Sequence, residues 1–140
     1  MKITICGSVS FSKEMVEFKD RLGKIAHKAI VCPVMEDLAL GKNPELLKKI
    51  EENHARVKKE GGFIKWYYNS IVNSDAILVV NLDKKGIKNY IGGNTLMEIA
   101  FAYVNNKKIF LLNPIPDISY RDEILAMEPI ILNGNLTKIG

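Results

Sequence analysis

Apolar positions along this chain fall into short continuous runs separated by stretches with helical spacing. Five continuous runs have the length of buried strands: residues 3–6, 29–33, 76–82, 108–113 and 129–132. Apolar residues at helical spacing predict helices at residues 12–27, 63–73, 94–105 and 119–127. Asn43-Pro44-Glu45 is typical of one more helix start, and Gly61-Gly62 would end that helix. Strands that are apolar throughout and alternate with helices predict a parallel sheet with both faces covered.

We therefore predict a single α/β domain over residues 1–140, with a flavodoxin-like (Rossmann-like) three-layer fold. Five strands suggest a parallel sheet in the order 2-1-3-4-5. In such sheets ligands bind at the carboxyl ends of the strands, where the strand order reverses, which here lies between the first and third strands. The loops after those strands, residues 7–12 and 83–94, are the candidate site. Residues 36–62 are the candidate for a lid or an insertion.

Composition narrows the classes of function. The chain has 140 residues, 47% of them hydrophobic, and a net charge of +4. Its lysines either form solvated faces or attract phosphorylated small molecules, and no dense basic stripe predicts binding to a nucleic-acid polymer. No apolar run is as long as a membrane span, and the chain enters a strand at once, so we expect a cytoplasmic protein without membrane contact.

Few residues suggest a metal or a cofactor. Cys6 and Cys32 lie in apolar runs without a CxxC spacing and are interpreted as reduced core thiols. The two histidines have no partners at metal-ligand spacing. The turn after the first strand lacks both a Walker motif and GxGxxG, which argues against ATP hydrolysis and dinucleotide binding. We expect neither a metal nor a cofactor.

The run from Tyr90 to Glu98 carries the candidate chemistry. Gly92, Gly93 and Asn94 join a strand to a helix, a layout that offers backbone N–H groups to an anion. Glu98 is predicted in the first helical turn, where the helix end favours an ionised carboxylate and so a candidate nucleophile. The structural alternative is a capping box from Thr95 to Glu98.

Other polar residues have two interpretations each. Gly7, Ser8 and Ser10 either hold a phosphate or sugar hydroxyl or only form a tight turn. Asp75 either points into the site or caps the start of a strand. Asn81 and Asn113 follow strands and either line the cleft or form Asx turns. Trp66-Tyr67-Tyr68 is predicted to place one or two rings in the core and one near the site.

These pieces together resemble the nucleoside 2-deoxyribosyltransferase-like superfamily, which includes the deoxynucleoside 5′-monophosphate N-glycosidases. The matching segments are residues 5–8 (ICGS), 73–80 (NSDAILVV), 92–102 (GGNTLMEIAFA) and 108–112 (KIFLL). The resemblance covers most of the chain outside residues 34–62. It implies a flavodoxin-like fold and a homodimer or larger homo-oligomer.

The resemblance also implies roles for individual residues. Glu98 matches the nucleophile that attacks the anomeric carbon of a nucleoside or its 5′-monophosphate, and Asp75 matches an aspartate that assists recognition. Gly7 and Ser8 match the first substrate loop, and Gly92, Gly93 and Asn94 match the loop that holds the sugar 5′ end or its phosphate. Some transferases carry an acid just before the glutamate where this chain has glycines, which favours hydrolysis over base exchange.

Two alternatives stay open. The run from Gly92 to Glu98 is similar to the PGGxGTxxE motif of the cytokinin-activating phosphoribohydrolases, although the proline is missing. That similarity would imply a ribonucleotide substrate. The domain could instead be a non-catalytic nucleotide sensor, with Glu98 as a cap whose loss would cost about 1 kcal/mol.

Overall fold

The computed structural model describes residues 1–42, 44–52 and 62–140. Its five strands are β1 (Lys2–Cys6), β2 (Lys28–Ile30), β3 (Ala76–Val79), β4 (Lys108–Leu111) and β5 (Ile130–Ile131). All neighbouring strands pair in parallel, in the order β2-β1-β3-β4-β5. The predicted flavodoxin-like α/β sheet is therefore confirmed.

Six helices belong to the described residues. They are α1 (Ser12–Lys24), α2 (Pro33–Ala39), α3 (Pro44–Glu52), α4 (Phe63–Val72), α5 (Gly93–Val104) and α6 (Arg121–Ala126). Short 3₁₀ helices cover Val9–Phe11 and Leu136–Lys138. Helix α1 packs on β1, β2 and α2, while α4 packs on β1 and α5, and α5 packs on β3 and β4. Because parallel crossovers are right-handed, α1 and the α4–α5 pair cover opposite faces of the sheet.

The core forms on both faces of the central strands. All four residues of β3 are buried, and so are the last four residues of β1. Cys6 and Cys32 are free and buried, as predicted. The edge strands β2 and β5 are short and carry exposed positions. The rigid part of the molecule is therefore its centre, where β1 and β3 run side by side.

A helix that the sequence interpretation missed runs into the start of the segment predicted as a lid or insertion. Pro33 was read as the end of the second strand, but it is the first residue of α2. Helix α2 is held to α1 by an ion pair between Lys19 and Glu36. The predicted helix after Asn43 is present as α3, whereas residues 43 and 53–61, including the predicted break at Gly61, lie outside the described residues.

Candidate functional site

A cavity of about 370 Å³ opens at the carboxyl ends of β1 and β3. This is the point of strand-order reversal at which the sheet topology predicts a ligand. The described part of the chain brings seven of the predicted site residues to its wall: Gly7, Ser8, Ser10, Gly92, Gly93, Asn94 and Glu98. Its volume falls in the usual range for small-molecule sites.

Glu98 forms the buried end of this cavity. The buried side chains of α5 are Thr95, Glu98, Ile99 and Ala102, a spacing that places all four on the helix face toward the sheet. The side chain of Glu98 is only 4% exposed. A carboxylate in a row of core positions is costly to bury, so its presence indicates a functional demand rather than packing.

The capping-box interpretation of Glu98 is wrong. Helix α5 begins at Gly93 with Gly92 as its N-cap, so Glu98 is the sixth helical residue and Thr95 the third. The prediction that Glu98 lies in the first turn is wrong for the same reason. Gly92 is extended, with φ −85° and ψ 177°, and Leu96 N–H donates to its carbonyl. Glu98 therefore does not lie at the position that a capping box requires.

The N-terminus of α5 lines the cavity next to Glu98. Its N-cap is Gly92, which has no side chain to cap it, and the first amides of a helix have no acceptor within the helix. A Cβ at Gly93 would meet nothing within 4 Å, whereas one at Gly92 would lie 3.1 Å from the hydroxyl of Tyr90. The glycine pair therefore leaves the backbone accessible, and the helix end favours an anionic group of a ligand.

A lysine links the two loops that border the cavity. Lys84 Nζ donates to Ser8 Oγ at 2.7 Å and lies 5.5 Å from the ring centroid of Tyr90. Ser8 Oγ also accepts from Ser10 N–H at 3.3 Å. Gly7 allows the first loop to approach β3, because a Cβ there would lie 3.1 Å from the carbonyl oxygen of Val80. Lys84 belongs to the loop of residues 83–94 that was predicted as part of the site, but the sequence interpretation did not single it out.

The opposite wall is apolar. It is built by α2 and α4 from Val34, Met35, Leu38, Phe63 and Tyr67. Of the predicted aromatic cluster, Tyr67 lines the cavity, while Trp66 is half-buried and Tyr68 is exposed. The Tyr67 hydroxyl donates to Met35 Sδ at 3.1 Å. An apolar wall facing a charged end suits a ligand with a flat ring at one side and polar groups at the other.

Buried ionisable groups surround the carboxylate. Burial raises the pKa of the Cys6 thiol well above its usual value, and the charge of Glu98 and a hydrogen bond with its side chain raise it further. Burial also raises the pKa of the Tyr67 phenol well above its usual value, and the charge of Glu98 adds to that shift. Both groups are therefore neutral at physiological pH, and they donate to Met35 Sδ (Tyr67) and to the Thr4 carbonyl (Cys6).

Asp75 does not lie at the cavity. It precedes β3 and so lies at the amino end of the sheet, where its Oδ2 accepts from Lys2 N–H at 2.8 Å. Its side chain fixes the start of β1 beside β3. The structure therefore separates Asp75 from Glu98, and the strand-capping interpretation agrees with the contact that it makes.

Asn81 and Asn113 pair with each other instead of lining the cavity. Asn81 is fully buried, and its side chain donates to the carbonyls of Asn113 and Pro114 at 2.9 and 3.1 Å. Asn113 N–H donates to Asn81 Oδ1, and Asn113 Nδ2 donates to the Asn81 carbonyl. Neither residue belongs to the cavity wall. The pair ties the segments after β3 and β4 together, a role that differs from both earlier interpretations.

Comparisons of this chain with protein-family models, with curated proteins and with solved structures find no match. None of the described helices is long and apolar enough to cross a membrane.

Proposed function

We propose that this protein cleaves or transfers the N-glycosidic bond of a nucleoside or a nucleoside 5′-monophosphate, with Glu98 as the nucleophile. The observation that carries the proposal is the position of Glu98. It occupies a core-facing position of α5, is 4% exposed, and lines a cavity beside the N-terminus of α5, whose N-cap is Gly92. The resemblance to nucleoside 2-deoxyribosyltransferase-like proteins supports the same residue for the same role.

The cavity offers a separate surface to each part of such a substrate. The apolar wall around Phe63 and Tyr67 suits the flat face of a base. The N-terminus of α5, together with Ser8 and Lys84, suits the sugar 5′ end or its phosphate. The anomeric carbon would then lie between these surfaces, next to the Glu98 carboxylate.

The residues support a two-step reaction. The Glu98 carboxylate attacks the anomeric carbon as the bond to the base breaks, and a glycosyl ester forms. Water or another base then attacks the same carbon and releases the carboxylate. Among the described residues of the cavity wall, the carboxyl group is that of Glu98, and we expect the departing base to take its proton from water or from a neutral donor.

Product analysis tests the proposal. Purified protein is incubated with ribo- and deoxyribonucleosides and their 5′-monophosphates, with and without an acceptor base, and free base is measured by liquid chromatography. Glu98→Gln should lower the rate by about a thousandfold or more. Glu17→Gln, the same change at an exposed position of α1, should leave the rate unchanged.

Each outcome selects one interpretation. Release from deoxyribonucleotides supports the glycosidase proposal, and release from ribonucleotides alone favours the phosphoribohydrolase alternative. New nucleoside in the presence of an acceptor base indicates transfer. No release from any substrate, with binding retained, would contradict the proposal and leave the sensor alternative.

A homodimer and a cytoplasmic location belong to the same proposal. Five large side chains on α4 and α5 are exposed, namely Ile64, Tyr68, Met97, Tyr103 and Val104. Such side chains on two packed helices are compatible with a contact between two copies. Light scattering coupled to size-exclusion chromatography would distinguish a dimer from a monomer of 15.7 kDa.

A further inference from the structure

Tyr67 brings a hydroxyl group to the apolar wall of the cavity. In the described part of the chain, α2 and α4 contribute four apolar side chains and Tyr67 to this wall. Tyr67 is 1% exposed and shares the buried face of α4 with Phe63 and Ile71. Its ring also meets the ring of Trp66 edge to face, with 4.9 Å between the centroids. Because packing holds the ring in place, the hydroxyl oxygen has a fixed position in the wall.

The partner of this hydroxyl is a thioether. The Tyr67 hydroxyl donates to Met35 Sδ at 3.1 Å. A thioether sulfur is a weak acceptor compared with the oxygen and nitrogen atoms that buried hydroxyls usually find. Met35 lies in the first turn of α2, and its flexible side chain lines the cavity too. A ligand that offers a better acceptor can therefore displace the sulfur.

The hydroxyl belongs to the same part of the cavity as Glu98. Tyr67 and Glu98 line the cavity from α4 and α5, which pack on each other. Burial raises the pKa of the Tyr67 phenol, and the charge of Glu98 raises it further, which agrees with a short separation. A neutral phenol has a proton to donate. The part of a ligand that reaches the carboxylate therefore lies beside this donor.

Nucleobases carry a hydrogen-bond acceptor next to the glycosidic nitrogen. This acceptor is N3 in purines and O2 in pyrimidines, and it does not depend on the groups that distinguish one base from another. In the proposed reaction the anomeric carbon lies next to Glu98. N3 or O2 is then the acceptor of the base that lies nearest to the carboxylate and to the Tyr67 hydroxyl.

We propose that Tyr67 is a specificity-determining residue, whose hydroxyl leaves Met35 and donates a hydrogen bond to N3 of a purine or O2 of a pyrimidine. The choice of this edge of the base rests on the proposed function. Such a donor accepts any of the common bases. It rejects a ring with a C–H group at this position, because the buried hydroxyl then gains no better partner from the ligand.

The first experiment changes the ligand. Glu98→Gln, which prevents turnover, is titrated by calorimetry with 2′-deoxyadenosine 5′-monophosphate and with its 3-deaza and 7-deaza analogues. The 3-deaza analogue replaces N3 by a C–H group, and the 7-deaza analogue makes the same change elsewhere on the purine. We expect the 3-deaza analogue to bind about tenfold more weakly than the parent, and the 7-deaza analogue to bind within about twofold of it.

The second experiment changes the donor in the same Glu98→Gln protein. Tyr67→Phe should weaken binding of the parent nucleotide about tenfold and leave binding of the 3-deaza analogue unchanged. Tyr68→Phe removes a hydroxyl from the exposed neighbouring position and should change neither affinity. Met35→Leu removes the competing acceptor at similar volume. It should tighten binding of the parent nucleotide about threefold, and Tyr67→Phe should abolish this gain.

The outcomes separate this proposal from the proposed function, because these titrations measure binding alone. The expected pattern without base release by the wild type would support the role of Tyr67 and contradict the glycosidase function. Equal binding of the parent and the 3-deaza analogue, a loss confined to the 7-deaza analogue, or an equal loss in Tyr68→Phe would overturn the role of Tyr67, even with base release. No binding of any of the three nucleotides would overturn it as well.

Discussion

Replacing Glu98 by methionine should stabilise the protein while it removes the proposed activity. The carboxylate lies on the core-facing row of α5 and is 4% exposed. Methionine has a similar length and a similar helix propensity, so the backbone of α5 does not need to adjust. The substitution therefore exchanges a buried polar group for an apolar one at nearly constant volume.

The expected gain can be estimated from three contributions. Removing a buried carboxylate relieves about 1–3 kcal/mol of desolvation. Burying the end of the methionine side chain adds about 1 kcal/mol. Losing the polar interactions of the carboxylate opposes these gains by about 1 kcal/mol. The net stabilisation is about 1–3 kcal/mol, which corresponds to a rise in Tm of roughly 3–15 °C for a chain of this length.

Urea unfolding at neutral pH, followed by circular dichroism, measures the difference between wild type and Glu98→Met. Glu17→Met makes the same change on the exposed side of α1 and should alter the free energy of unfolding by less than about 0.5 kcal/mol. A loss of 1 kcal/mol or more in Glu98→Met, with an unchanged m-value, would refute the reasoning. It would mean that the carboxylate supports the fold, and the main argument for a functional Glu98 would fail.

Four further predictions address other parts of the molecule. Lys84→Met should raise KM for a 5′-monophosphate about tenfold and leave KM for the nucleoside nearly unchanged, as steady-state kinetics on both would show. Asp75→Asn should leave kcat/KM within about twofold in the base-release assay, because Asp75 contacts Lys2 at the far end of the sheet. Asn81→Ala should cost about 2–4 kcal/mol in urea unfolding, because it leaves buried partners without their hydrogen bonds. Because the pKa of the Cys6 thiol is raised in the folded protein, the stability that this group contributes is complete below the usual thiol pKa of 9.0 and is lost as the pH rises above that value. The free energy of unfolding of Cys6→Ser should therefore fall less steeply than that of the wild type between pH 9 and 10.

The sheet could be predicted because its signals are local. Each strand is a continuous apolar run, and a five-strand alternation with helices leaves few permitted topologies. Helix α2 was missed because Pro33 was interpreted only as a strand terminator. Proline is equally favourable in the first turn of a helix, where its missing N–H is not needed. The wall that α2 contributes to the cavity was missed with it.

The site was predictable only where chain order determines position. Glycines and serines that follow β1 and β3 must lie at the carboxyl edge of a parallel sheet, and they do. By the same argument, Asp75 precedes β3 and must lie at the opposite edge of the sheet. That Asp75 lies outside the site could therefore have been predicted from its place in the sequence. The bond between Lys84 and Ser8 joins residues 76 positions apart, and no local pattern records such a contact. The extended Gly92 places the helix start at Gly93, so that Glu98 is not at the capping-box position.

The two sides of the cavity are supported by different parts of the sheet. One side is supported by β1 and β3, which are buried and paired with a strand on each side. This side carries Glu98, Cys6 and the glycine loops. The apolar wall of α2 follows β2, a three-residue strand at the edge of the sheet. Elements at the edge of a sheet open locally at a lower free energy than elements at its centre, and their amide hydrogens exchange sooner. Substitutions in α2 can therefore reshape what the cavity accepts without disturbing the carboxylate, which makes ligand preference the easier property of this fold to alter by mutation.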